Sequence, residues 1–242
     1  DGVDANDATD PDFLDRIPLR SGESTFIAAP IFHGIGFLHV VLALGLGSTM
    51  VLRRRFDARQ TMAAVDRYRC STLVVVPTML QRIMELGERE LSGYDLARLR
   101  VLFCSGSALA PGLATLAMDR LGDVLYNFYG TTEVAVATVA TPADLRAAPG
   151  TVGHCPRNCT VRLYDVDDNE IEQPDRVGRI LVGSALRAGG RAVREEVDGL
   201  VDTGDLGHFD AAGRLFIDGR KDDMIISGGE NVFPGEVEHL LM

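Results

Sequence analysis

An α/β fold is what the chain predicts: a parallel sheet flanked by helices, followed by a small β-rich subdomain. Two observations carry this. Between residues 21 and 149, short apolar runs rich in β-branched residues alternate with amphipathic helical stretches, the pattern of strand–helix–strand units. After about Pro149 the texture changes to short alternating strands set between Asp, Asn and Gly turns.

Taken in order, residues 1–20 read as an acidic lead-in or a cut edge, because Asp1 to Asp15 holds many aspartates and little apolar content. Ser24 to Ile31 reads as a strand closed by Pro30. Ile35 to Leu46 is the most apolar run; it is shorter than the about 20 residues that a bilayer span needs, and a buried helix is expected. Met50 to Leu52 is a short strand. Asp57 is placed to cap a helix that puts Met62, Val65 and Tyr68 on one face. Thr72 to Val76 and Leu99 to Cys104 are continuous apolar strands of the kind buried on both sides. Helices are expected over Thr78 to Leu86 and over Pro111 to Leu121, with Pro near the start of the second. Val124 to Phe128 is the next strand. Val161 to Tyr164, Arg179 to Val182 and Arg214 to Ile217 supply the β-rich part over residues 150–218, with a charged surface excursion over Arg187 to Leu200. A last boundary falls at residues 219–242.

Composition narrows the function. The chain has 242 residues, 46% of them hydrophobic, enough to bury a sizeable core. A formal net charge of -11 argues against a nucleic-acid surface, which would be basic. The four cysteines, Cys70, Cys104, Cys155 and Cys159, suit reduced thiols and a cytoplasmic setting better than a disulfide framework. His154, Cys155 and Cys159 cluster without a second ligand pair at zinc spacing, so structural thiols are expected. Lys221 is the only lysine, so a mechanism that needs lysine elsewhere cannot run in this chain.

Three stretches carry chemistry. Tyr126-Asn127-Phe128-Tyr129-Gly130-Thr131-Thr132-Glu133 runs from a strand into a turn with a flat ring, a glycine, two hydroxyls and a hard anionic oxygen suited to Mg²⁺. An N-capped helix start would account for the same residues. Asp202-Thr203-Gly204-Asp205-Leu206 and Gly219-Arg220-Lys221-Asp222-Asp223, the latter leading into Ser227-Gly228-Gly229-Glu230, follow downstream. Singly, Asp-Gly turns and Gly-Arg corners are ordinary surface features. In this order and separation, the three motifs resemble the adenylate-forming superfamily of acyl-CoA synthetases, peptide-synthetase adenylation domains and luciferases, from about Pro30 onward.

That resemblance implies the following. ATP and Mg²⁺ activate a carboxylic acid, with a fatty acid favoured, and CoA then takes the acyl group. Thr132 would bond the α-phosphate and Glu133 would hold Mg²⁺. Tyr129 would stack on adenine, beside Gly130 and Thr131. Gly106 and Ser107, in a Ser105-Gly106-Ser107-Ala108-Leu109 turn, would line the adenine pocket, although the family's usual Ala-Pro-Leu ending is absent. Asp205 would accept from the ribose hydroxyls and Arg220 would bind ribose or phosphate. Asp202 would shape its turn. Asp222 would be the hinge, and Ser227, Gly228, Gly229 and Glu230 would line the CoA tunnel. His33 would orient the carboxylate or gate the acyl channel; a core histidine is the competing reading. Val134, Ala135 and Val136 would suit an acyl group. The family's phosphate loop, expected before the Ser24 strand, is absent, and its adenylation lysine is expected beyond Met242. The sequence therefore reads as an internal fragment that does not adenylate by itself. Transfer to a carrier protein and a non-catalytic nucleotide- or acyl-binding module are the alternative functions, and homo-oligomerisation is left open.

Overall fold

The computed structural model describes residues 16–131, 134, 136–157, 159–184, 196–223, 225–227 and 230–232. The elements of the first sheet are β1 (Ser24–Ile27), α1 (Gly34–Gly45), β2 (Thr49–Leu52), α2 (Ala58–Arg67), β3 (Thr72–Val75), α3 (Pro77–Met84), α4 (Glu88–Leu91), β4 (Val101–Cys104), α5 (Pro111–Leu121), β5 (Leu125–Tyr129), β6 (Thr138–Ala140) and α6 (Pro142–Ala147). Its strand order is β2-β1-β3-β4-β5-β6. Every pairing is parallel except β5 with β6. The expected parallel sheet is thus present, and β6 is an antiparallel return strand that the apolar pattern did not announce.

Alternate residues of the strands enter two different cores, which is why these runs read as continuously apolar. Phe26, Leu73, Val75, Leu102 and Leu125 pack with α2, α3 and α5. Ile27, Val74, Val101, Phe103 and Tyr126 face the other way, toward α1. Local chemistry fixes the helix ends. Asp57 caps α2 by accepting from the Gln60 amide at 2.9 Å, and Thr141 and Asp144 form a capping box on α6.

Three expectations need correcting here. β1 stops at Ile27; the Ala28 and Ala29 amides still donate to the Val74 carbonyl, and the chain then leaves the sheet before Pro30. Helix α1 is buried along one face only, through Gly36, His39, Leu42 and Ala43, while Phe37 and Leu44 are 63% and 66% exposed. Tyr68 is not on the buried face of α2. It follows the last helical residue, and the Arg67 guanidinium lies 5.5 Å over its ring.

His39 is the buried histidine of this region. Its Nδ1–H donates to the Ile35 carbonyl at 2.8 Å, its ring meets Phe103 edge-on at 4.2 Å, and Nε2 has no partner among the described residues. Burial lowers its pKa from 6.5 to about 4. The neutral form is therefore favoured by folding, so this contribution is complete above pH 6.5 and is lost as the pH falls toward 4. Wild type is expected to lose about 3 kcal/mol more than His39→Leu between neutral pH and pH 4; denaturant unfolding across that range measures it, and equal losses would refute it.

The second sheet is antiparallel. It contains β7 (Cys159–Tyr164), β8 (Gly178–Ser184), β9 (Glu196–Val197), β10 (Leu200–Phe209) and β11 (Leu215–Arg220), ordered β11-β10-β8-β7 with β9 on β10. Asp202-Thr203-Gly204-Asp205-Leu206, expected as a turn, lies inside β10. Between the Asp202–Leu181 and Leu206–Arg179 pairings, β10 advances four residues while β8 advances two. The surplus is a bulge in the strand, with Gly204 at φ 77°. Asp202 shapes it as expected, accepting from the Gly204 amide at 2.7 Å, and also pairs with buried Arg179 at 3.1 Å. After β11, a short 3-10 turn (Lys221–Asp223) leads to the ribbon of β12 (Ile225–Ser227) and β13 (Glu230–Val232). The charged excursion over Arg187 to Leu200 lies mostly outside the described residues. No helix among the described residues is long and apolar enough to cross a membrane.

Candidate active site

The C-terminal ends of the parallel strands open into a cleft of about 950 Å³, where crossover topology places ligands in open α/β sheets. Its polar wall comes from three separate segments. The turn after β4 gives Ser105, Gly106 and Ser107; the turn after β5 gives Gly130 and Thr131; the second sheet gives Asp205 from β10 and Arg220 from the end of β11. Gly106 is needed where it stands. Its φ is 99°, and a Cβ there would lie 3.3 Å from Val76 Cγ1.

The β10 bulge carries Asp205 to Tyr129, and the two sheets join there by hydrogen bonds. Tyr129 donates its hydroxyl to Asp205 Oδ2 at 2.7 Å, and Arg220 Nε donates to Asp205 Oδ1 at 3.1 Å. Thr203 Oγ1 lies 3.3 Å from the same phenol, accepts from the Asp205 amide at 3.2 Å and donates to the Ile180 carbonyl at 2.9 Å. Burial, and then the neighbouring Asp205 charge, push the Tyr129 pKa well up, so the phenol keeps its proton and serves as a donor. Each carboxylate oxygen of Asp205 retains a lone pair for a further donor. Thr131 Oγ1 is buried at the cleft with no hydrogen-bond partner among the described residues. A buried hydroxyl of that kind is costly unless a ligand or water completes it.

The apolar wall is the exposed face of α1. Ile35, Phe37, Leu38 and Val41 recur at helical spacing beside Val76 and Met79. His33 stands at the N-cap of α1, exposed and lining the cleft, its ring 4.6 Å from that of Phe32. It is therefore not the core histidine of the competing reading; His39 is. The acyl wall expected at Val134 and Val136 is not there. Val134 is buried in the core of the second sheet, and Val136 in the core under α1; Ala135 lies outside the described residues.

Of the residues singled out from sequence, the cleft brings together His33, Gly106, Ser107, Gly130, Thr131, Asp205 and Arg220, with Tyr129 held to it through Asp205. Thr132, Glu133, Gly228 and Gly229 lie outside the described residues. Asp222 falls in the 3-10 turn between β11 and the ribbon. Ser227 and Glu230 pair with each other across β12 and β13. Ser105 lies in the turn expected to line the pocket, whereas Thr203 was given no role and the α1 wall was not anticipated; the spacing of Phe37, Leu38 and Val41 was the available signal. Cys155 and Cys159 are free thiols, donating to the Cys159 and to the Val136 and Ala137 carbonyls respectively, as expected of structural cysteines. The described residues hold no cluster of three or more His, Cys, Asp or Glu able to bind a metal.

Known proteins resemble this sequence and share its fold. A model of the family described as AMP-binding enzyme matches residues 6–190. The chain is 34% identical over 240 residues to an indoleacetate–CoA ligase of Aromatoleum aromaticum, covering 94% of this chain and 46% of that protein. It is 33% identical over 231 residues to a long-chain-fatty-acid–CoA ligase of Bacillus subtilis, covering 92% and 40%. Among solved structures, O-succinylbenzoate coenzyme A synthetase from Bacillus subtilis, in complex with ATP and magnesium ion, aligns with a TM-score of 0.85 at 25% identity, covering 96% of this chain and 48% of that one. The chain thus spans about half the length of the relatives it matches. The match over residues 6–190 and the shared fold establish that the chain belongs to the AMP-binding, or adenylate-forming, family of enzymes.

Proposed function

We propose that the protein to which this chain contributes activates an apolar carboxylic acid with ATP, releasing pyrophosphate, and then passes the acyl group to the thiol of CoA, releasing AMP. The observation that supports it is the convergence of Ser105–Ser107, Gly130–Thr131 and the Tyr129–Asp205–Arg220 bonds on one cleft whose far wall is apolar. In this reading Asp205 accepts from the ribose, Arg220 holds Asp205 and the nearby phosphate, and Thr131 donates its unpaired hydroxyl to the nucleotide. The flat face of Tyr129 serves the adenine, and Thr132 serves the α-phosphate. Mg²⁺ travels with ATP, and the sequence offers Glu133 to hold it. Asp222 is the hinge between the half-reactions, with Ser227 to Glu230 along the path of CoA.

The acid seats between His33 and the α1 face. Aliphatic Ile35, Leu38, Val41 and Met79 favour a fatty acid; Phe37 gives an aromatic acid such as that named for the indoleacetate ligase the second place. Four free cysteines support a reducing, cytoplasmic setting.

The test is a screen of carboxylic acids for acid-dependent pyrophosphate release by the protein at the length of its relatives, with CoA and a holo-carrier protein compared as acceptors. AMP formation stimulated by a fatty acid and completed by CoA is expected. Release of ADP, or nucleotide turnover indifferent to acid, would overturn the reading. The 242-residue chain alone is expected to bind AMP without releasing pyrophosphate, since its sole lysine, Lys221, lies in the turn after β11.

A further inference from the structure

At the other edge of the first sheet, the N-terminal ends of β1, β3 and β4 frame a second cavity of about 540 Å³. Its lining includes Arg20, Arg69, Arg98 and Arg100, with Tyr68 beside them. Four arginines on the lining of one hollow stand out in a chain of net charge -11. Arg100 is committed elsewhere, pairing with Glu23 and donating to the Pro18 carbonyl at 2.6 Å. Glu23 also lines the hollow, with its carboxylate held by Arg100. Arg20, Arg69 and Arg98 have no ion pair among the described residues, so among those residues three cations at the cavity lack an acidic partner.

Position and chemistry separate this cavity from the active-site cleft. The cleft sits where the strands end, and this one where they begin. Four-residue strands set the two apart by at least roughly 13 Å. The hollow itself is shaped by the sharp passage from α2 to β3, where Arg69 takes φ 49°, and by backbone bonds from Ser71 to Ser24 and from Arg100 and Val101 to Ser71. Guanidinium groups match phosphate oxygens with two parallel donors each. Cations gathered in a concavity also hold a small anion better than scattered ones on a flat surface, because the low-dielectric walls focus their field.

We propose that this cavity binds a small diphosphate-bearing anion, with Arg69 and Arg98 as its principal ligands and Arg20 closing the rim. A free diphosphate and a nucleoside diphosphate offer the same group. Tyr68, 49% exposed at the rim, is the surface that would tell them apart, by stacking a base.

The experiment is calorimetric titration of the chain with inorganic pyrophosphate, and separately with ADP, in magnesium-free buffer at low salt. Arg69→Gln combined with Arg98→Gln is expected to weaken pyrophosphate binding at least tenfold, while Arg220→Ala, in the other cleft, changes it less than twofold. Arg98→Gln alone, expected to cost about threefold, answers the question should the double variant fail to fold. ADP binding tighter than pyrophosphate, with the excess removed by Tyr68→Ala, would assign the site to a nucleotide; equal affinities would assign it to a free diphosphate. No pyrophosphate binding at millimolar concentration, or binding lost with Arg220→Ala and kept in the arginine variants, overturns the proposal.

Discussion

Replacing Asp205 with alanine is expected to weaken AMP binding by roughly 30- to 100-fold, about 2–3 kcal/mol, because charge-assisted hydrogen bonds contribute about 1.5–3 kcal/mol and ribose would make its bonds here. Asp205 is 6% exposed, and its carboxylate is already held on both sides, by the Tyr129 hydroxyl at 2.7 Å and Arg220 Nε at 3.1 Å. It therefore meets a ligand without having to be ordered first, which is where its leverage comes from. Its loss should leave the fold intact. The Arg220 side chain is 59% exposed and can return to water, and the Tyr129 hydroxyl keeps Thr203 Oγ1 within 3.3 Å. Asp205→Asn separates charge from shape, since the amide fills the same space but offers one acceptor oxygen rather than two; it is expected to fall between wild type and alanine. Titration with AMP, alongside a thermal melt, decides the matter. An alanine variant that binds as wild type does would remove Asp205 from the nucleotide site.

How much of this was legible beforehand follows from which interactions are local. Leu73, Val74 and Val75 betray a strand because one face packs on α2 and α3 and the other faces the core under α1, so no polar residue interrupts. Caps such as Asp57 act within one turn and can be read directly. Strand β10 was hidden for the opposite reason: a bulge needs turn-forming residues, so Asp202, Gly204 and Asp205 look like the end of a strand rather than its middle. At the site, Gly106, Thr131, Asp205 and Arg220 were legible because each sits in a short motif. The acyl wall was not. Val134 and Val136 adjoin the nucleotide motif in sequence, yet they are drawn into two different cores, while the cleft takes its apolar surface from a helix about a hundred residues earlier. Apolar content alone told α1 to be buried, and only the fold shows that the cleft uses its open face.

Gly153→Ala tests the joint that brings the two sheets together. Gly153 pairs with Leu215 of β11, and its neighbour His154 pairs with Val139 of β6, so these two residues link the sheet that carries Tyr129 to the sheet that carries Asp205. The backbone there has φ 82°, and an added Cβ would stand 2.2 Å from the Val139 carbonyl oxygen and 2.4 Å from Ala140 Cα. Those neighbours are backbone atoms of a strand, and no side-chain rotation relieves the overlap. A non-glycine residue in left-handed conformation costs about 1–2 kcal/mol, and overpacking a close interior typically adds about 1–3 kcal/mol. The variant is accordingly expected to lose about 2–5 kcal/mol of stability in denaturant unfolding. Because relief requires the Gly153–His154 segment, which pairs with β11 through Gly153, to move off β6, what remains folded should also lengthen the Tyr129–Asp205 contact and bind AMP more weakly than wild type. Gly213→Ala is the control: its φ is 76° and a Cβ there meets nothing within 4 Å, so it bears the conformational cost without the collision. Equal destabilisation of the two would mean that backbone strain alone acts at Gly153, and that the contact between the sheets is looser than the geometry describes.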